Sequence, residues 1–120
     1  MLKLTKRRYL AVLVESEVLP SKKEILETFW ESVTQLYGEY GASHAGVVLI
    51  DFDESNKIAV VRVNLPSLEN VRAAIASTTK INNEPAALHV LQVSGTIKSL
   101  HEKIKKNGEL KVMGFQITQF

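Results

Sequence analysis

Leu88-His89-Val90-Leu91-Gln92-Val93-Ser94-Gly95-Thr96-Ile97-Lys98-Ser99-Leu100-His101-Glu102-Lys103-Ile104-Lys105-Lys106 joins a short apolar strand to an amphipathic helix through one tight turn. The apolar run ends at Val93. Ile97, Leu100 and Ile104 then fall at i, i+3 and i+7, one face of a helix, and lysines at 98, 103, 105 and 106 take the remainder. Ser94 or Thr96 can cap the helix, because a side-chain oxygen there accepts one of the unpaired first-turn N–H groups. A helix of this kind lies on a sheet by one face and shows positive charge on the other.

Working back from this stretch, residues 8–15 read as a first strand. Ser21 with Glu24 three residues on forms a capping box that opens a helix. On a 3.6-residue wheel its Ile25, Leu26, Phe29, Trp30, Val33, Leu36, Tyr37 and Tyr40 share one broad arc. Tyr40 reads as core-facing, and Trp30 sits at the edge of the arc. Gly38 and Gly41 are expected to end the helix. Residues 44–52 and 57–64 make a hairpin across Asp53-Glu54-Ser55-Asn56. Pro66-Ser67 starts a second helix with Leu68, Val71, Ile75 and Thr78 along one side, and residues 79–86 are a loop.

The order is β-α-β-β-α-β plus a terminal helix, an α/β arrangement of the RRM-like or ferredoxin-like kind. Four antiparallel strands would carry two helices on one face. Residues 1–120 read as one domain, with a core over about 8–106 and a tail from 107 to 120. In the first strand Leu10, Val12 and Val14 oppose Tyr9, Ala11 and Leu13. In the third, Ile58 and Val60 oppose Ala59, Val61 and Val63. A sheet apolar on both sides needs cover on both, and the terminal helix is the candidate for the second side.

Composition narrows the function classes. The 120 residues include no cysteine, which removes disulfides, thiolate nucleophiles and cysteine metal sites and fits a reducing cytoplasm. The apolar run after Lys6-Arg7-Arg8 is too short for a membrane span, so a soluble protein is expected. A net charge of +2 hides an uneven distribution: four basic residues and no acid in 1–8, five lysines against two acids in 95–111, and eleven acids against six bases between. Basic ends on an acidic body point to a polyanion, with solvated termini as the plain alternative.

No catalytic constellation stands out. Asp51, Asp53 and Glu54 could converge on Mg²⁺, but they also fit a solvated hairpin end. His44, His89 and His101 lack ligand spacing, and His89, on an apolar strand, reads as a hydrogen-bonded core or interface residue. The third strand carries Ile58, Val60 and Arg62 where a base-stacking RRM would carry aromatics. RNA binding would therefore rest on charge and shape through Arg7, Arg8 and the lysine face. Ser94-Gly95-Thr96 fits either an ordinary cap or a phosphate-binding turn. Trp30, Tyr37 and Tyr40 could mark a protein interface, and the apolar tail from Leu110 to Phe120 should pack on its own domain or add to a partner, as a strand for example. A small ferredoxin-like ligand-binding or regulatory domain, using loops such as Asn82-Asn83-Glu84, is the alternative, and a nuclease built on Asp51 and Asp53 a third reading.

Four stretches resemble a known family: Arg8-Tyr9-Leu10-Ala11, Leu36-Tyr37-Gly38-Glu39-Tyr40-Gly41, Val71-Arg72-Ala73-Ala74-Ile75 and Val93-Ser94-Gly95-Thr96-Ile97-Lys98. In order and spacing they are similar to the family of archaeal ribonuclease P protein component 2, the small RRM-like subunit of RNase P and MRP. The resemblance implies a non-catalytic subunit of a ribonucleoprotein that removes 5′ leaders from precursor tRNA. The RNA would cleave with its own Mg²⁺, and the protein would bind no cofactor. Its implied partners are the RNase P RNA and a TIM-barrel-like protein subunit, around a central homodimer within a heterotetramer. By position, Arg7, Arg8, Lys98, Lys103, Lys105 and Lys106 are the candidates for RNA. Tyr37, Tyr40 and the tail, including Phe115, are those for protein contacts.

Overall fold

The computed structural model describes residues 6–107, with side chains described through residue 104. Five strands and three helices follow in the order β1 (Arg7–Ser16), α1 (Lys22–Ala45), β2 (Val48–Asp53), β3 (Ile58–Asn64), α2 (Leu68–Ser77), β4 (Lys80–Ile81), β5 (Glu84–Ser94) and α3 (Ile97–Asn107). A 3₁₀ turn, Leu65–Ser67, leads into α2. The antiparallel sheet runs β2-β3-β1-β5-β4. The expected mixed α/β fold is present, with one strand more than expected.

That strand comes from the stretch read as a loop. Asn82 and Asn83 both take left-handed backbone angles, φ 51° and 65°. Two such residues in succession suit a tight type I′ hairpin, so Lys80 and Ile81 pair back onto Pro85 and Glu84. The Asn82 amide also donates to Glu24 at the start of α1.

Helix α1 opens as the capping box requires: the Ser21 amide donates to Glu24 Oε1 at 2.9 Å, and the Glu24 amide to Ser21 Oγ at 3.2 Å. Its far end departs from expectation. Gly38, at φ 76° and ψ 174°, breaks the helical path without ending it, and the helix resumes to Ala45. Gly41 is needed for close approach, since a Cβ there would lie 2.7 Å from Tyr37 Cβ. The stop is Gly46, in the left-handed conformation at φ 57° and ψ 42°, and Asn64 donates to the His44 carbonyl at 2.9 Å. His44 and Ala45, read as the start of a strand, therefore belong to the helix, and β2 begins only at Val48.

The break also corrects the helical wheel. A wheel assumes one continuous phase, and the phase is lost at Gly38. Tyr40, expected in the core, is 78% exposed and lies against the His44 ring at 4.0 Å.

Two apolar layers enclose the sheet. On one side Leu10, Val12, Val14, Ala59, Val61 and Val63 meet Ile25, Phe29 and Val33 of α1 and Val71, Ala74 and Ile75 of α2. On the other, Ala11, Leu13, Ile58 and Val60 meet Leu100 and Ile104 of α3, with Tyr9 and Leu91 at the margin. The terminal helix covers the second face as its spacing required.

Two substitutions test this account by urea unfolding. Leu100→Ala should remove about 2–4 kcal/mol by opening a cavity beneath α3. Gly46→Ala should be destabilising by about 1–2 kcal/mol, because alanine is strained in the left-handed region and its Cβ would meet the Asn64 amide at 2.6 Å. A neutral result at Leu100 would mean that α3 does not cover the sheet.

Candidate nucleic-acid interface

The cations at the two ends of the sequence come together through strand pairing. Antiparallel register places Tyr9 opposite Ser94 and Leu10 opposite Val93. The start of β1 and the exit of β5 therefore share one end of the sheet. Arg7 is exposed there. Arg8 is half-buried, with a guanidinium nitrogen 3.7 Å from the position a Cβ on Gly95 would take, so it lies over the turn into α3. The same guanidinium donates to the Arg7 carbonyl at 2.9 Å.

Helix α3 adds to this end. Thr96, not Ser94, is its cap: Thr96 Oγ1 accepts the Ser99 amide at 3.1 Å, while Ser94 is buried in the strand. Lys98 is exposed in the first turn. Lys103 is also exposed, and its ammonium donates to the Val93 carbonyl at 3.0 Å. The side chains of Lys105 and Lys106, and all of Phe115 and the tail beyond Asn107, lie outside the described residues.

A further cation joins them, one that sequence alone does not mark as a binding residue. Arg62 sits directly opposite Tyr9 on β3, with Val48 opposite it on β2. The clue in the sequence is the alternation of β3, in which Ile58, Val60 and Arg62 share a face. Among the described residues no acid pairs with Arg7, Arg62 or Lys98. Five cations from β1, β3 and α3 thus sit at one end of the sheet.

The acidic cluster has a different role. Asp53 is buried, and its carboxylate accepts the amides of Ser55 at 3.0 Å and Asn56 at 3.2 Å, plus the Asn56 side chain at 2.6 Å. This is an Asx turn that fixes the β2–β3 connection. Asp51 accepts its neighbour's amide and pairs with Lys22 at 3.4 Å. Among the described residues no three His, Cys, Asp or Glu side chains gather as a metal site. His89, expected in the core or an interface, is exposed, with Nε2 3.1 Å from Glu15 Oε1. In the register it stands opposite Leu13. Tyr37 and Tyr40 are exposed on α1, in the layer on the other side of the sheet from α3. No described helix is long and apolar enough to cross a membrane.

Comparison with known proteins gives a consistent result. The Rpp14/Pop5 family matches residues 8–105. Ribonuclease P protein component 2 of Pyrococcus furiosus is 37% identical over 98 residues, covering 82% of this chain and 82% of that protein. The protein of the same name from Methanosarcina barkeri is 33% identical over 102 residues, 85% of this chain and 74% of that one. Among solved structures, a chain in the cryo-EM structure of yeast ribonuclease MRP superposes with a TM-score of 0.66 over 96% of this chain and 100% of that chain. At 13% identity the likeness is one of fold.

The two aspartates should respond differently to substitution. Asp53→Ala removes the acceptor that the Ser55 and Asn56 donors share and should lower stability by about 1–3 kcal/mol. Asp51→Asn weakens only a partly exposed ion pair and should change it by less than about 1 kcal/mol. Thermal unfolding with and without Mg²⁺ checks this. A Mg²⁺-dependent stabilisation abolished in both variants would restore a metal role.

Proposed function

The chain belongs to the Rpp14/Pop5 family, and from that premise we propose that it is a non-catalytic protein subunit of ribonuclease P. In this role it supports the RNA that removes 5′ leaders from precursor tRNA. The observation that carries the reading is the gathering of Arg7, Arg8, Arg62, Lys98 and Lys103 at one end of the sheet. A folded RNA brings phosphates close together, and the repulsion between them opposes the active shape. Cations fixed on a rigid support relieve that repulsion and release condensed counterions.

The protein's own carboxylates fit this division of labour. Asp53 is held in a turn and Asp51 in an ion pair, which favours assigning the Mg²⁺ needed for cleavage to the RNA. The partners in this reading are the RNase P RNA, a TIM-barrel-like protein subunit, and a second copy of the chain within a heterotetramer. The ligand-domain reading loses its loop, since Asn82 and Asn83 form the hairpin turn and the Asn82 side chain binds back to Glu24 of α1.

Cleavage of precursor tRNA by a matching RNase P RNA at low Mg²⁺ tests the role. Adding this protein with its TIM-barrel-like partner should rescue cleavage, while the two proteins without RNA should cleave nothing. The triple variant Arg7→Ala/Lys98→Ala/Lys103→Ala should keep its fold, because all three side chains are exposed. It should lower RNA affinity and flatten the plot of log K against log[salt] by about one for each phosphate left without its cation. An unchanged slope would remove this end of the sheet as the RNA surface. Cleavage that the protein pair leaves unaltered would remove the role itself.

A further inference from the structure

Helix α1 carries a surface of opposite character. After Lys22 and Lys23 in its first turn, it holds Glu24, Glu27, Glu31 and Glu39 and no further lysine or arginine. At 3.6 residues per turn, Leu26, Trp30 and Tyr37 fall within about 40° of one another, ahead of the break at Gly38. They form a stripe along the margin of the buried face. Leu26 is 36% exposed, Trp30 42% and Tyr37 38%. Leu26 and Trp30, with Val47 from the segment entering β2, line a cleft of about 320 Å³ whose remaining walls are Glu27 and Glu31.

We infer that this cleft receives an apolar helix or turn flanked by lysine or arginine, supplied by another protein subunit of the same particle. An exposed tryptophan beside an apolar hollow is the kind of anchor on which binding energy concentrates. The rim selects the occupant. Two glutamates repel RNA and anionic lipid alike. A second copy docking through the same face would set Glu27 and Glu31 against their own counterparts, since a two-fold contact matches a patch with itself. A basic apolar segment complements both floor and rim. Proteins that share an RNA scaffold face the same phosphates and carry such cations for that purpose, so this step rests on the ribonucleoprotein reading above. The molecule then divides its partners by layer: RNA at the cationic end beside α3, protein along α1.

Trp30 is the chain's single tryptophan, so its fluorescence reports the cleft directly. The full-length protein is titrated in turn with the TIM-barrel-like subunit and with the RNase P RNA, and is separately diluted alone. Binding of the protein subunit should shift Trp30 emission to shorter wavelength and shield it from acrylamide. RNA and self-dilution should leave it unchanged. Trp30→Ala should weaken the protein subunit by about 30-fold. Glu27→Lys/Glu31→Lys, which reverses only the rim, should weaken it at least about 10-fold without lowering RNA affinity. A subunit that binds while Trp30 emission stays constant, and binds the rim variant equally well, overturns the cleft and leaves the ribonuclease P role standing. A shift on dilution, or with RNA, reassigns the cleft to a second copy or to RNA and overturns the proposal equally. If neither subunit nor RNA binds, the role falls and the cleft assignment with it.

Discussion

Strand β1 hydrogen-bonds to β3 on one side and β5 on the other, and its residues from Leu10 to Val14 are buried whichever way they point. A strand apolar on both faces cannot sit in a sheet that has one side in water. Each large side chain left exposed would forfeit about 1.5–3 kcal/mol of transfer energy. The architecture follows from this constraint, with α1 and α2 closing one face and α3 closing the other over Leu13, Ile58 and Val60. The dependence is mutual, because an eleven-residue helix is too short to persist alone in water. Without the sheet there is no α3, and without α3 the cations of its outer face have no fixed position.

Charge follows the same two layers. The cations collect at one end of the sheet beside α3, where Arg7, Arg8 and Arg62 meet Lys98 and Lys103. Acids with exposed aromatics line α1 on the opposite layer. A net charge of +2 therefore describes neither surface. Separation of this kind is what the proposed RNA and protein contacts would require of one small domain.

Much of this is legible in the residues. Periodicity places α3 and names the side chains it buries, and the capping box places the start of α1. What escapes is set by groups distant in sequence or by single backbone angles. The end of α1 depends on Gly46 and on Asn64 reaching back from β3, which no local pattern displays. Gly38 resembles a stop and is a break in phase, so the wheel puts Tyr40 on the wrong side. The Asn82-Asn83 pair resembles a loop because the strand before it is only two residues long, although two left-handed asparagines in a row are what a tight hairpin needs. Arg62 is visible on its strand, but its place beside Tyr9 requires the β1–β3 register.

The pairing of Tyr9 with Ser94 has a consequence for how the protein comes into being. Arg7 and Arg8 emerge from the ribosome well before the turn at Gly95 that Arg8 will cover. Until β5 inserts beside β1, the two groups of cations belong to a diffuse chain and present no common surface. Closing so long a loop is among the slow steps of folding. The cationic end is therefore complete only once β5 has paired with β1 and brought α3 beside it. These cations share one surface only in the finished fold.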